Sequence, residues 1–469
     1  MTSGLAEPLT IRRADGATLV TLLIMALMLI PARLVFRGIP LSLTPANLLG
    51  LVCGLCWLCA QFTTTLGVAK GRTPVRTAVF VYATGMLATY GYATYGYLPS
   101  DELNFADHAL VLIMANVGIA LAVCDGVRGG ERLDLVLKAV VVAGAVIGFI
   151  GVVQYVLKFD LTRYLALPGL RYTSEDSSLL ERYDVSRVAS TTGHPIEFGV
   201  VCAMMLPLAV HYGYRTREIG RPSLRWWVCA ALIGMGLMFS VSRSAVLATG
   251  AVGLVLFVGW PGRRRAQALL LGVLFLAAVR VIAPGLLGTL YDLFANIGND
   301  SSIQYRTHDY TIAATEIGKH LWLGRGAGTW YSPKYAVFDN TYILSTVETG
   351  VLGVAAIVGM FLAAIYSAAL ARHRSEDPGV RDLALTLAAC LVAPVVTAAT
   401  FDLLSFATVT GVSFLLIGAT GSLLRTVTES DTRPAARAHW FRRIGGDPGA
   451  RFRGAQKEQG SGPTVEVTR

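Results

Sequence analysis

The sequence predicts an all-α polytopic membrane protein with about twelve transmembrane helices and a long, partly helical extracytoplasmic loop. Three observations carry that expectation. Apolar residues make up 54% of the 469-residue chain and charged ones only 15%, with a mean hydropathy of +0.56, outside the range of a soluble domain. Apolar runs of about 18–25 residues recur along the chain, each long enough to cross a hydrocarbon core about 30 Å thick. One stretch, 284–340, is far too polar to cross and carries Arg306, His308, Asp309, Glu316, Lys319, His320, Arg325, Asp339 and Asn340.

The expected spans lie near 17–36, 44–66, 75–98, 104–125, 133–157, 195–214, 223–241, 244–260, 266–284, 341–371, 381–402 and 404–425. Alternate connections are basic: Arg12/Arg13, Lys70/Arg72/Arg76, Arg128/Arg132, Arg215/Arg217/Arg221/Arg225, Arg263/Arg264/Arg265 and Arg372/Arg374/Arg381. By the positive-inside rule these face the cytoplasm. Both the N-terminus, 1–16, and the tail, 426–469, are then cytoplasmic, and the loops 158–193 and 284–340 face outward. The domain organisation is one transmembrane unit, 17–425, in the cytoplasmic membrane of the cell, followed by a disordered basic tail.

The same placement accounts for the net charge of +10. Arginines gathered on one face answer to topology and to the anionic leaflet of the bilayer, so no nucleic-acid partner is implied. Arg12-Arg13 precedes an apolar run but no small-residue cleavage site follows, which reads as an uncleaved first span. The seven cysteines fall in or at the ends of spans. Cys53, Cys56 and Cys59 share a helix face, but no histidine or carboxylate stands near them in sequence, and neither a metal site nor a disulfide is expected. Buried charge in the spans is expected to be sparse: Lys138, Arg280 and Glu348.

Chemistry is therefore expected at the outer loops. The first closes with Arg187 and runs through Gly193-His194-Pro195 into a span. Pro195 suits the first turn of a helix, where its missing N–H costs nothing. Arg187 and His194 then sit at a helix N-terminus that favours an anion, or they cap the helix and anchor the loop. Ser242-Arg243-Ser244 joins two spans by a short outer turn. An arginine on that side either binds a diphosphate through its paired donors or reaches lipid phosphates.

The long loop predicts a helix over 302–321, with Ile303, Tyr310, Ala314, Ile317 and Leu321 as its apolar stripe and Arg306, Asp309 and Glu316 on another face. Gly324-Arg325-Gly326-Ala327-Gly328 follows. Its glycines either let backbone N–H groups converge on an anion or make the turn. Asp339 and Asn340 stand where the loop returns to the membrane, Asp339 as a helix cap or as a general base. Glu348 is placed about two turns into the next span, where a carboxylate demands a partner or a wet cavity.

In this order the pieces resemble the bacterial O-antigen polymerase and ligase superfamily, membrane glycosyltransferases of the Wzy_C type with a GT-C-like architecture. Arg187 through Pro195 is similar to the family's Arg–Gly–Asn/His-Pro start of a span, and Ser242-Arg243 to its Ser-Arg turn. His320-Leu-Trp-Leu-Gly324-Arg-Gly326 is similar to its His-Pro-Leu-x-Gly-x-Gly segment, with Arg306 upstream. Asp339-Asn340-Thr-Tyr342-Ile and Glu348-Thr-Gly350-Val-Leu-Gly353 resemble its His-Asn-x-Tyr-Leu and Glu-x-Gly-Leu-x-Gly signatures. Asp339 stands where the ligases have a histidine, and Trp322 stands near the family's proline.

The resemblance implies transfer of a glycan from a polyprenyl-diphosphate carrier on the outer face to a glycan or glycolipid acceptor, without metal, nucleotide or other cofactor. It implies Arg243 and Arg306 at the diphosphate with Arg187 in support, and Asp339 as the base. His194, Arg325, Asn340, Tyr342 and Glu348 complete the expected substrate-binding set. A polymerase of capsule-like or exopolysaccharide chains, working with a chain-length regulator, is preferred to a ligase. A transporter or flippase of lipid-linked sugars is the alternative from another class; it predicts charges deep in several spans and two-fold repetition between halves.

Overall fold

The computed structural model describes residues 15–63, 73–165, 167–173, 179–182, 185–283, 285–295 and 301–432. Fourteen α-helices account for most of them: α1 Gly16–Leu29, α2 Pro45–Gln61, α3 Pro74–Tyr95, α4 Ser100–Leu121, α5 Gly130–Leu157, α6 Pro195–Glu218 and α7 Leu224–Phe239, then α8 Arg243–Gly259, α9 Gly262–Ile282, α10 Leu286–Ala295, α11 Ser301–Lys319, α12 Thr341–Arg374, α13 Pro378–Thr397 and α14 Ala407–Thr432. A helix lies over each of the expected spans, and α11 lies where the loop helix was expected. Seven helices (α4 with the π-helical turn that follows it, α5, α6, α9, α12, α13 and α14) are long and apolar enough to cross a membrane on their own. Four shorter ones, α1, α2, α7 and α8, are apolar too.

Local chemistry sets the helix starts. In α2, α3, α6 and α13 a proline opens the first turn, and the residue before it (Thr44, Thr73, His194 or Asp377) caps with its side chain. Such a cap satisfies an N–H that the helix itself leaves unpaired.

Three boundaries differ from expectation. The first span stops at Leu29, because Pro31 ends the helix and Leu34–Phe36 pairs as a strand, β1, antiparallel with Leu170–Tyr172, β2. The last helix runs to Thr432 rather than 425, since Arg425 is held by Asp125 and by Glu429 one turn on. The long span over 341–371 is interrupted at Gly350, as described below.

One apolar core joins the helices, with Phe198, Phe239 and Phe414 among its largest fully buried side chains. Phe198 of α6 fills the space between α5 and α7. A β-carbon at Gly151 or Gly236 would stand 2.7 or 2.8 Å from its ring. These glycines permit the close helix approach on which membrane bundles rely. Above that level, Tyr155 stacks on Phe239 at 3.9 Å.

The bundle has two chemically distinct ends. At the arginine end, Asp125 accepts from the indole of Trp57 at 3.0 Å and pairs with Arg76 and Arg425 at 3.6 and 3.5 Å. Asp382 of α13 pairs there with Arg264 at 2.5 Å and His211 at 2.6 Å. The other end, the loop end, carries the starts of α4, α6, α8, α12 and α14. Buried charge goes beyond the expected Lys138, Arg280 and Glu348: among the described residues the buried acids are Glu102, Asp125, Glu197, Asp377 and Asp382, whereas Lys138 and Glu348 are half-buried and Arg280 is exposed. All five acids lie near helix ends, where arginines and backbone N–H groups can reach them. Lys138 itself pairs with Asp134, one turn away on α5.

Helix α9 is the outlier of the bundle. Among its residues only Val279 is buried. Arg264 in its first turn binds Asp382 and Glu218, and Phe275 covers Gly234 of α7.

Candidate functional site

Four chain segments meet at the loop end: 187–195, 240–244, 339–342 and 398–406. The first is hung on its surroundings by buried polar bonds. Gln154 of α5 accepts from the Ser190 N–H at 2.9 Å, the Ser190 hydroxyl donates to the Ile147 carbonyl at 2.7 Å, and Thr191 donates to the Met28 carbonyl at 2.6 Å. Arg187, 8% exposed and on β4 Val185–Val188 (paired with β3 Leu179–Arg182), donates through Nε to the Ser240 carbonyl at 3.2 Å. That bond ties the first outer loop to the turn before Arg243. Ser242 caps α8, whose first residue is the half-buried Arg243. The next residue, Ser244, shares a hydrogen bond of 2.8 Å with Thr400.

The connection 398–406 is the hub. The Thr341 hydroxyl donates to the Phe401 carbonyl at 2.9 Å and accepts from the Leu403 N–H at 2.8 Å, straddling Asp402. The Thr341 N–H donates to the Ala398 carbonyl at 2.8 Å. From the opposite side, buried Glu197 accepts from the N–H groups of Thr408 and Val409 at 2.7 and 3.1 Å, and from Gly193 N–H at 2.7 Å. One carboxylate therefore caps α14 and closes the His194 turn, an anion at a helix N-terminus.

Electrostatics follow this crowding. His194 Nδ1 accepts from the Ile196 N–H at 3.1 Å as the cap of α6. Burial first, then the charges of Arg187 and Arg33, lower its pKa to about 4, so the neutral ring that can accept a bond is the favoured form. Asp402 shifts the other way. Burial, with repulsion from Asp339, holds its carboxyl above the usual range against hydrogen bonds from Ser405 and nearby N–H groups.

A second cluster flanks the junction. Helix α12 is broken at Gly350, with φ 66° and ψ −175°. The freed carbonyls of Val347 and Glu348 accept from Arg325 N–H at 3.1 Å and Gly326 N–H at 2.7 Å. In return, Val351 and Leu352 donate to the carbonyls of Leu321 and Trp322 at 2.9 and 3.3 Å. Backbone meets backbone so closely that a β-carbon at Gly350 would lie 2.3 Å from the Trp322 carbonyl, and one at Gly324 2.2 Å from the Glu348 oxygen.

The Glu348 carboxylate accepts from Trp330 N–H at 3.2 Å and from the Gly328 N–H. The glycine segment does gather N–H groups, and the group they surround is the protein's own Glu348 carboxyl. Tyr342 donates to the Val395 carbonyl at 2.6 Å, and both residues line a small apolar pocket with Ile357 and Phe361. In a straight helix Tyr342 and Ile357 would stand about 22 Å apart. The arm Thr341–Thr349 therefore leans back over the rest of α12, and Glu348 sits at the bend rather than inside a continuous span.

Several residues expected to touch substrate have their polar groups engaged within the protein. Arg325 binds Glu102 at 3.2 Å, Tyr335 at 2.8 Å and Glu316 at 3.7 Å. Asn340, not Asp339, caps α12, its Oδ1 accepting from Tyr342 and Ile343 N–H at 3.0 and 3.3 Å. Asp339 is exposed beside that cap. Arg306 lies on α11, and its side chain is outside the described residues. The covered face of α11 keeps Ile317 of the expected stripe but is otherwise rotated: Ile312, Ala313 and Ile317 pack against Trp330, Phe338 and Val347, while Tyr310, Ala314 and Leu321 are exposed and the Ile303 side chain lies outside the described residues. Glu316 falls on the covered side because Arg325 waits there for it.

Sequence reasoning passed over Glu197, Thr400 and Asp402. Asp402, an acid in the short connection between the last two spans, carried a signal; Glu197 sits in an otherwise apolar run. Among the described residues no group of histidine, cysteine and acidic side chains is arranged to hold a metal ion.

Residues 228–358 match the Wzy_C family model, described as O-antigen ligase. The match runs from α7 into α12 and takes in Arg243, Arg306, Arg325, Asp339, Asn340, Tyr342 and Glu348. Arg187, His194 and Asp402 lie beyond it. No curated protein matches the chain.

Proposed function

We propose that this chain, which carries a domain of the O-antigen polymerase and ligase superfamily, moves a glycan from a polyprenyl-diphosphate carrier to an acceptor hydroxyl at the loop end of the bundle. The family match supports a membrane glycan-transferring enzyme of polymerase or ligase type. We read the chain as a polymerase working on the outer face, with both termini cytoplasmic. One observation supports a shared transfer site: Thr341 and Ser244 fasten the segments of Asp339 and Arg243 to the same connection, 398–406.

In this reading Arg243 and Arg306 neutralise the diphosphate, with Arg187 in support. The acceptor oxygen forms a bond to the anomeric carbon as the bond from that carbon to the diphosphate breaks. The diphosphate oxygens take the negative charge and Asp339 takes the hydroxyl proton. Attack opposite the leaving group inverts the anomeric centre. Arginines supply the positive charge, so the reaction needs no metal ion. Asp402 is the neighbour of Asp339, its carboxyl held above the usual range by burial and by repulsion between the two. Arg325, Asn340, Tyr342 and Glu348 shape the site rather than bind the sugar directly.

The test is transfer by purified protein from lipid-diphosphate-linked glycan with EDTA present, comparing wild type with Arg306→Ala and Asp339→Asn. A ladder of longer lipid-linked products, lost in both variants, supports the polymerase. A single addition to a different lipid supports a ligase, and no product with any acceptor abandons glycan transfer.

A further inference from the structure

The loop end exposes large aromatic side chains that the reading above leaves without a task. Trp322 is 64% exposed, Tyr92 49%, and Tyr95 and Tyr97 each 95%. His320 stands edge-on to Tyr92 with ring centroids 6.4 Å apart, which puts Trp322, two residues on, at the same rim as the end of α3. A β-carbon at Gly326 would meet Ala93 at 2.6 Å, so the turn rests directly on that helix end.

Trp322 is held in place. Its carbonyl accepts from Leu352 and its neighbour Leu321 accepts from Val351, so its backbone is part of the break in α12. The leaning arm Thr341–Thr349 joins that break to Asp339, over about 12 Å of helix. An aromatic platform thus stands a few sugar residues away from the proposed base.

We infer that Trp322 and Tyr92 form a distal subsite for the glycan chain, stacking on sugar rings remote from the reacting hydroxyl. This rests on the glycan-transfer reading and adds to it how a long acceptor is held. An exposed aromatic face with a polar edge suits the C–H face of a sugar beside its hydroxyls. Tyrosine and tryptophan also gather where a bilayer meets water. A glycan is the occupant because the arm 341–349 joins these aromatics to the proposed base; the Lys319–Glu316 and Lys334–Asp101 pairs add charge on the same loop-end segments.

Two measurements test the subsite. The first is tryptophan emission of wild type minus Trp322→Phe, in lipid nanodiscs, titrated with oligosaccharides released by mild acid from the host's own lipid-linked glycans. A saturable change carried by Trp322 and weakened several-fold by Tyr92→Ala is expected. Quenching of Trp322 by brominated lipid, with no response to oligosaccharide, overturns the subsite and assigns the residue to the bilayer interface. The second is the ratio of KM for many-unit acceptors to KM for single-unit acceptors, expected to rise several-fold in Trp322→Ala. An unchanged ratio overturns the subsite. A wild type that binds oligosaccharide through Trp322 but transfers nothing keeps the subsite and removes the polymerase.

Discussion

The carboxylate of Glu348 accepts the backbone N–H of Trp330 at 3.2 Å, and this contact closes a helix break onto a glycine loop. An acid that looks like a membrane-buried reactant thereby also serves as a structural clasp. Replacing Glu348 by alanine leaves buried N–H groups unpaired, at about 1–3 kcal/mol. Gly350→Ala adds backbone strain and a clash with the Trp322 carbonyl. Thermal melting in detergent is expected to fall for both variants, further for Gly350→Ala.

Arg243 and Arg187 are expected to act through charge delivered by a fixed fork, which lysine does not reproduce. Arg243→Lys should lose about 10²–10³ in transfer rate, the scale of a lost transition-state donor. Single-turnover rates with saturating donor measure it. A loss confined to donor KM would instead make Arg243 a ground-state anchor.

His194 makes stability depend on pH. Its folded pKa of about 4 lies below the usual value, so the unfolded chain binds the extra proton first. Stability from this group is complete above about pH 6.5 and is lost as pH falls towards the folded pKa. Melting temperature should drop over that window in wild type. His194→Asn, which keeps a capping acceptor, should flatten the drop.

Asp402 has the opposite sign. Its carboxyl is held above the usual range, so the contribution it makes is present at acid pH and is lost as pH rises through the folded value. Asp402→Asn should raise the melting temperature at neutral pH and remove that dependence. Asp339→Asn should instead cost transfer about 10²–10⁴-fold as a lost base. The pair of variants separates a neighbour from a base.

Arg325 and Glu102 form a tie between the glycine loop and the first turn of α4. A double-mutant cycle of Arg325→Ala and Glu102→Ala, read by melting, should give a coupling of about 1–3 kcal/mol. Additive losses would show that Arg325 holds something other than Glu102.

Helix positions were legible because long apolar runs and proline-led starts are local signals. His194-Pro195 announced the start of α6, and the polar stretch announced α11. The break at Gly350 was not legible: Glu348-Thr-Gly-Val-Leu-Gly353 reads as a continuing span, and only the loop's carbonyl and N–H partners show why it bends. The meeting of the segments 187–195, 240–244 and 339–342 at one end of the bundle was suggested by where they fall between the apolar runs. The part played by Thr341, Thr400 and Glu197 was hidden, since it depends on contacts across more than a hundred and fifty residues for the Ser244–Thr400 and Glu197–Thr408 bonds. Polar side chains such as Asn340 and Tyr342 look reactive in a motif, and each also fastens the start of α12.

The exchange of backbone hydrogen bonds at Gly350 also governs how the protein comes apart. If the loop peeled away, the carbonyls of Val347 and Glu348 and the amides of Val351 and Leu352 would be stranded beside lipid. Loop 321–330 and the upper part of α12 must therefore open together or stay closed. Amide hydrogens on both should exchange with solvent deuterium at one shared rate, as a single cooperative block spanning a loop and a membrane helix.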